Sequence, residues 1–139
     1  MVKLFNLVIV LAIALLTSCS SNTADVKQSF DISFVHQQDD MSDTGLVTGI
    51  LTNNDGCLTL IAEDWHSDNS EEYVVQLIHH LYEATGSESF KYRDSEFGIG
   101  DRAKLTGSSH SIVDSDLPDS CVALNIPIWH TGNIEKLEN

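Results

Sequence analysis

Hydrophobic and polar positions alternate along most of this chain, after an apolar start. Leu4 to Leu16 is apolar except for Asn6, a run of 13 residues. That is too short to cross a bilayer, which takes about 20. Ser20 to Gln28 is small and polar and predicts a flexible tether. In "SFDISFVHQ", Phe30, Ile32 and Phe34 alternate with polar residues and predict a half-buried strand. In "TGLVTGILTNNDGCLTLIAED" two β-rich runs flank Asn53-Asn54-Asp55-Gly56, the second from about Cys57 to Glu63. Asp-Gly between such runs predicts a hairpin, because the turn needs residues that tolerate positive φ. A strand over 72–78 continues the meander. The spacing of Val74, Leu77, Ile78 and Leu81, with Asn69 as cap and Gly86 as stop, makes a helix over 70–85 the competing prediction. Residues 86–100 read as loop with one short extended piece. Ala103 to Gly107 reads as a short strand ending in glycine, and "VDSDLPDS" as an acidic turn. "CVALNIPIWHTG" reads as a last strand, with Val122, Leu124, Ile126 and Ile128 alternating. Many short strands with regular turns predict a mainly β domain, a small sandwich or barrel.

The N-terminus carries an address. Lys3, the apolar run and the small Thr17-Ser18 have the layout of a secretory signal. Leu16-Thr17-Ser18-Cys19 resembles the bacterial lipobox: an aliphatic residue, two small residues, then cysteine. The resemblance implies cleavage before Cys19 and a diacylglycerol on its sulfur. Because Ser20 rather than Asp follows, it also implies sorting to the outer membrane, with the domain facing the periplasm. Acyl chains clustered on one residue anchor stably, since each buried methylene contributes about 0.8 kcal/mol. The chain then divides into a signal peptide (1–18), a tether (19–28) and one domain (29–139).

Charge narrows the partners. Seven Lys and Arg stand against 21 Asp and Glu, a net charge of −14, and loss of Lys3 with the signal makes it −15. Nucleic acid is excluded as a partner, because phosphate backbones are bound through clustered Lys and Arg. Anionic membrane surfaces are disfavoured for the same reason, so the lipid does the anchoring. An acidic surface attracts cations or basic partners, against the plainer reading of solubility alone. Besides Cys19, two cysteines remain, Cys57 and Cys121. In an oxidising compartment, with Cys19 acylated, they predict one disulfide. Two buried free thiols are the competing reading.

The order of three meandering strands, an irregular or helical connection and two more strands resembles the oligonucleotide/oligosaccharide-binding fold, the OB-fold. "VTGILTNNDGCLTL" and "FGIGDRAKLTGS" carry the resemblance, which covers about 45–129. It implies a small OB-fold-like barrel whose disulfide ties the second strand to the fifth. The chain also resembles small exported lipoproteins with a central "GCL" and a late cysteine after a proline, here Leu117-Pro118-Asp119-Ser120-Cys121. That group implies no activity.

Candidate chemistry is sparse. His66 and His130 each follow a tryptophan, Trp65 and Trp129, and with Asp64 they would gather at a barrel mouth if those strand ends meet. A zinc or copper site needs three or four converging ligands. Asp114, Asp116 and Asp119 form an acidic turn like part of a calcium loop. The glycine at the sharp bend is missing, and Pro118 intrudes. The chain has no GxSxG, SxxK or GxGxxG motif, so neither a catalytic residue nor a cofactor is predicted. Trp65, Trp129, Tyr73 and Tyr92 are candidates for a stacking face, against the favoured reading of core packing. The expected role is a membrane-anchored, non-catalytic envelope module that binds a periplasmic protein or glycan. The competing role is a cation-binding protein or small hydrolase that uses His66, His130 and the acidic turns.

Overall fold

Five strands pair into a closed ring. The computed structural model describes residues 25–35, 45–63, 71–110 and 117–138. Its elements are β1 (Ser33–Val35), β2 (Gly45–Asn54), β3 (Cys57–Ala62), β4 (Glu72–Ile78), a 3₁₀ turn (His79–Leu81), β5 (Tyr82–Gly86), β6 (Ser89–Tyr92), β7 (Ser95–Gly98), β8 (Arg102–His110), a short helix α1 (Asp119–Val122) and β9 (Ile128–Lys136). β2 pairs with β3, β3 with β4, β2 with β8 and β8 with β9, all antiparallel. The parallel pair β4–β9 closes the ring. The chain is therefore mainly β, and residues 72–78 are strand, not helix. The ring holds three meandering strands, a connection and two more strands, the OB-fold-like order.

The hairpin at the start of the ring follows from its turn. Asp55 and Gly56 both have positive φ, 49° and 88°. That is the left-handed pair a two-residue hairpin needs. The Asn53 side chain accepts from the Gly56 amide at 2.9 Å and fixes the loop. Alternation then sorts the faces. Val47 and Leu51 of β2, Leu58 and Leu60 of β3, Tyr73, Val75 and Leu77 of β4, Ala103 and Leu105 of β8, and Trp129 and Ile134 of β9 are buried in one core.

β5, β6 and β7 form a separate three-stranded sheet in the connection between β4 and β8. Phe90 and Phe97 face each other across β6 and β7 with ring centroids 5.6 Å apart. With Tyr92 they join the ring's core. Burying a side chain of this size contributes roughly 1.5–3 kcal/mol, so the ring and the small sheet stabilise each other. The N-terminal segment adds Phe30 and Ile32 to the same core. Its entry is pinned where the Gln28 amide donates to the Ser89 carbonyl, 3.0 Å, and the Ser29 amide to the Ser87 carbonyl, 2.8 Å.

The structure differs from the sequence expectation in several places. Residues 86–100 are not loop: most lie in β6 and β7, strands too short for alternation to register. The first strand is three residues long. Before it, the chain pairs at Asp31 with Cys57 and then turns to run beside β4. β8 does not stop at Gly107, which sits inside it at a register shift opposite β9. The last strand starts at Ile128. Residues 119–122 are helical, with Cys121 buried and Val122 exposed, because a disulfide holds that turn against the ring. The bond joins Cys57 on β3 to Cys121 on α1, not to the ring's fifth strand. Its S–S distance is 2.01 Å.

Candidate functional site

The ring turns three large aliphatic side chains outward. On β2, Leu46 and Ile50 point away from the face that buries Val47 and Leu51. Ile61 stands directly opposite Ile50 on β3. Their exposures are 46%, 38% and 48%. The sequence carried a signal for this in its doubled apolar pairs, Leu46-Val47, Ile50-Leu51 and Leu60-Ile61. A strand with one wet face alternates apolar with polar, so apolar residues on both faces single this one out as a candidate contact surface.

Polar groups rim this face. Arg102, opposite Ile50 on β8, donates from Nε to both Glu63 oxygens, at 3.1 and 2.8 Å. Lys104, opposite Thr48, pairs with Glu135. On the other side Glu72, opposite Ile61, accepts from Thr59 Oγ1 at 2.7 Å and from Asn54 Nδ2 at 2.9 Å. The Thr52 and Thr59 hydroxyls meet at 2.7 Å in the same patch. An apolar centre with a polar, solvated border is the anatomy of a protein–protein contact.

The outer wall further round the ring is already covered. Leu117, Cys121, Leu124 and Ile126 pack on Cys57, Val74 and Ile128 as a second, smaller apolar cluster. The Val74 amide donates to the Pro127 carbonyl at 2.9 Å, and Ser120 Oγ donates to Asp31 at 2.7 Å. Residues 117–127 thus form a strap over β3, β4 and the start of β9, tied by the disulfide.

Three of the aromatic candidates are core, the favoured reading. Trp129 is 4% exposed, Tyr73 and Tyr92 are buried, and Tyr73 meets Trp129 edge to face at 5.4 Å. Period-two alternation put all three on the inner side of their strands, away from a stacking face. Trp65 lies outside the described residues. The fold moves the titration of Tyr82 and Tyr92. Burial pushes Tyr82 up to about 12, opposed by its hydrogen bond to Gln28. Burial also raises Tyr92 from 10.0, opposed by a backbone hydrogen bond from Ile78 and by the Arg93 charge.

Of the histidine and acidic candidates, His130 and Asp119 fall among the described residues. His130 is on the outer side of β9 and stacks on His110 of β8, ring centroids 4.0 Å apart. Ser108 Oγ lies 2.9 Å from His110 Nε2. Asp119 is exposed at the start of α1. Among the described residues no three His, Cys, Asp or Glu side chains are grouped as a metal would require. His66, Asp114, Asp116 and the lipidation candidate Cys19 lie outside the described residues. Among the described residues no helix is long and apolar enough to cross a membrane. No family model, curated protein or solved structure matches this chain.

Proposed function

We propose that this chain is a lipid-anchored lipoprotein of the outer membrane. Its non-catalytic ring docks a periplasmic protein through the outer face of β2 and β3. The observation that carries the reading is the exposed trio Leu46, Ile50 and Ile61 inside a border of paired charges. The lipobox-like Leu16-Thr17-Ser18-Cys19 supports the anchor, and the Cys57–Cys121 bond suits an oxidising compartment. A protein fits this face better than a glycan. Sugar rings pack on the flat faces of exposed aromatics, and here Tyr73, Tyr92 and Trp129 are spent on the core. Each aliphatic side chain is about half exposed, so covering it stabilises a complex by roughly 1 kcal/mol, half of a full burial. Three together amount to about 3 kcal/mol, or on the order of a hundredfold in affinity.

Photo-crosslinking in the native host tests this. A crosslinking residue at Leu46 should trap one envelope protein, and the same residue at Thr85, exposed on the small sheet, should not. The purified adduct should begin at an acylated Cys19. No adduct, equal adducts at both positions, or an uncleaved N-terminus would each defeat the proposal.

A further inference from the structure

We infer that the partner at the β2–β3 face presents an aliphatic ridge bordered by Lys and Arg. The inference rests on the docking reading above and names the chemistry of the occupant. It comes from which charges near the face are already engaged. Arg102 and Lys104 run along the β8 border, and each is held by an acid of this chain, Glu63 and Glu135. They have little positive charge left to offer a partner. On the opposite border Glu72 stands directly across from Ile61 and, among the described residues, accepts from the neutral donors Thr59 and Asn54. Glu71 beside it is exposed, and so is Asp55 beyond the hairpin. The whole chain adds a field of −14. Complementary potentials steer association and reject wrong partners, while like charges brought together are costly.

The same charges argue against the other occupants. A second copy carries the same net charge of −14, so bringing two copies together on this face costs like-charge repulsion. An anionic lipid surface would be repelled in the same way. The partner chemistry that satisfies both the apolar centre and the acidic border is cationic protein.

The test uses the full chain in zwitterionic lipid nanodiscs, with empty discs subtracted, and three ten-residue probe peptides: alternating Leu–Lys, alternating Leu–Glu and alternating Ser–Lys. Fluorescence anisotropy should show Leu–Lys binding at least tenfold tighter than either control. Raising the salt should weaken it. The double variant Ile50→Thr/Ile61→Thr, which keeps strand propensity, should weaken it tenfold or more, with circular dichroism confirming the fold. If Leu–Glu binds as tightly as Leu–Lys and the double variant abolishes both, the docking face stands and the cationic partner is wrong. If Ser–Lys binds as tightly as Leu–Lys, charge alone is at work and the inference fails. If no probe responds to the double variant, the docking face itself falls. Self-association that the double variant abolishes would identify the occupant as a second copy and overturn the inference.

Discussion

Replacing both Cys57 and Cys121 with alanine removes the disulfide that cross-links the strap to β3 of the ring. The bond joins residues 64 apart. In the chain-entropy account, closing a loop of that size withdraws about 4 kcal/mol of freedom from the unfolded chain. A domain of this size is stable by only about 5–15 kcal/mol in total, so the loss is a large share. With a guanidinium slope near about 3 kcal/mol/M, the unfolding midpoint should fall by about 1.3 M. Buried Trp129 supplies a fluorescence reporter for the transition. The structure also specifies where the protein loosens first. Without the bond, residues 117–127 are held by the Val74–Pro127 and Ser120–Asp31 hydrogen bonds and by a small apolar cluster. The ring keeps its full set of strand pairs. Hydrogen exchange should therefore show amides of the strap losing protection before those of β2 and β3. A midpoint shift under about 0.3 M, worth under 1 kcal/mol at that slope, would refute the entropy argument. Simultaneous loss of protection in ring and strap would refute the description of 117–127 as a separable layer.

Two further outcomes are expected. A methyl group at Gly49 would stand 2.1 Å from the Ile61 carbonyl oxygen, so Gly49→Ala must push β2 and β3 apart. It should cost about 1–3 kcal/mol or more in the same denaturant assay, and a neutral effect would contradict the close strand approach. The tyrosines should make stability fall at alkaline pH. Both Tyr82 and Tyr92 ionise near 10 when unfolded but are raised in the fold, Tyr82 to about 12. Their contribution is full below pH 10 and is lost as the pH climbs toward 12. Reversible appearance of three tyrosinates near pH 10 in a folded protein, by ultraviolet titration, would disprove it.

The ring was legible in the sequence where local chemistry fixes it. Asp55-Gly56 dictates a turn that only a hairpin uses, and the strands on either side follow at Gly45–Asn54 and Cys57–Ala62. Residues 72–78 form a strand because Tyr73 and paired valines outweigh a helical spacing that other sequences would obey. The small sheet escaped because β6 and β7 hold only four residues each, so each shows one or two inward aromatics and no period. The strap escaped for the opposite reason. Val122, Leu124, Ile126 and Ile128 imitate a strand, but the bond to Cys57 and the wall of β4, both remote in sequence, decide which of them turn inward. The candidate face was half legible. Its doubled apolar pairs were visible, but that Ile50 and Ile61 stand opposite each other depends on register, which the hairpin turn sets once it is known.

Ring closure also decides how copies of this protein behave when crowded. An unpaired strand edge is a template for another chain. Because β4 meets β9, the strands left at the ends of the sheets among the described residues are β1, β5 and β7, of three, five and four residues. The last two carry Glu83 and Glu96. Such short acidic edges offer little backbone to copy, even at the density that the proposed lipid anchor would impose.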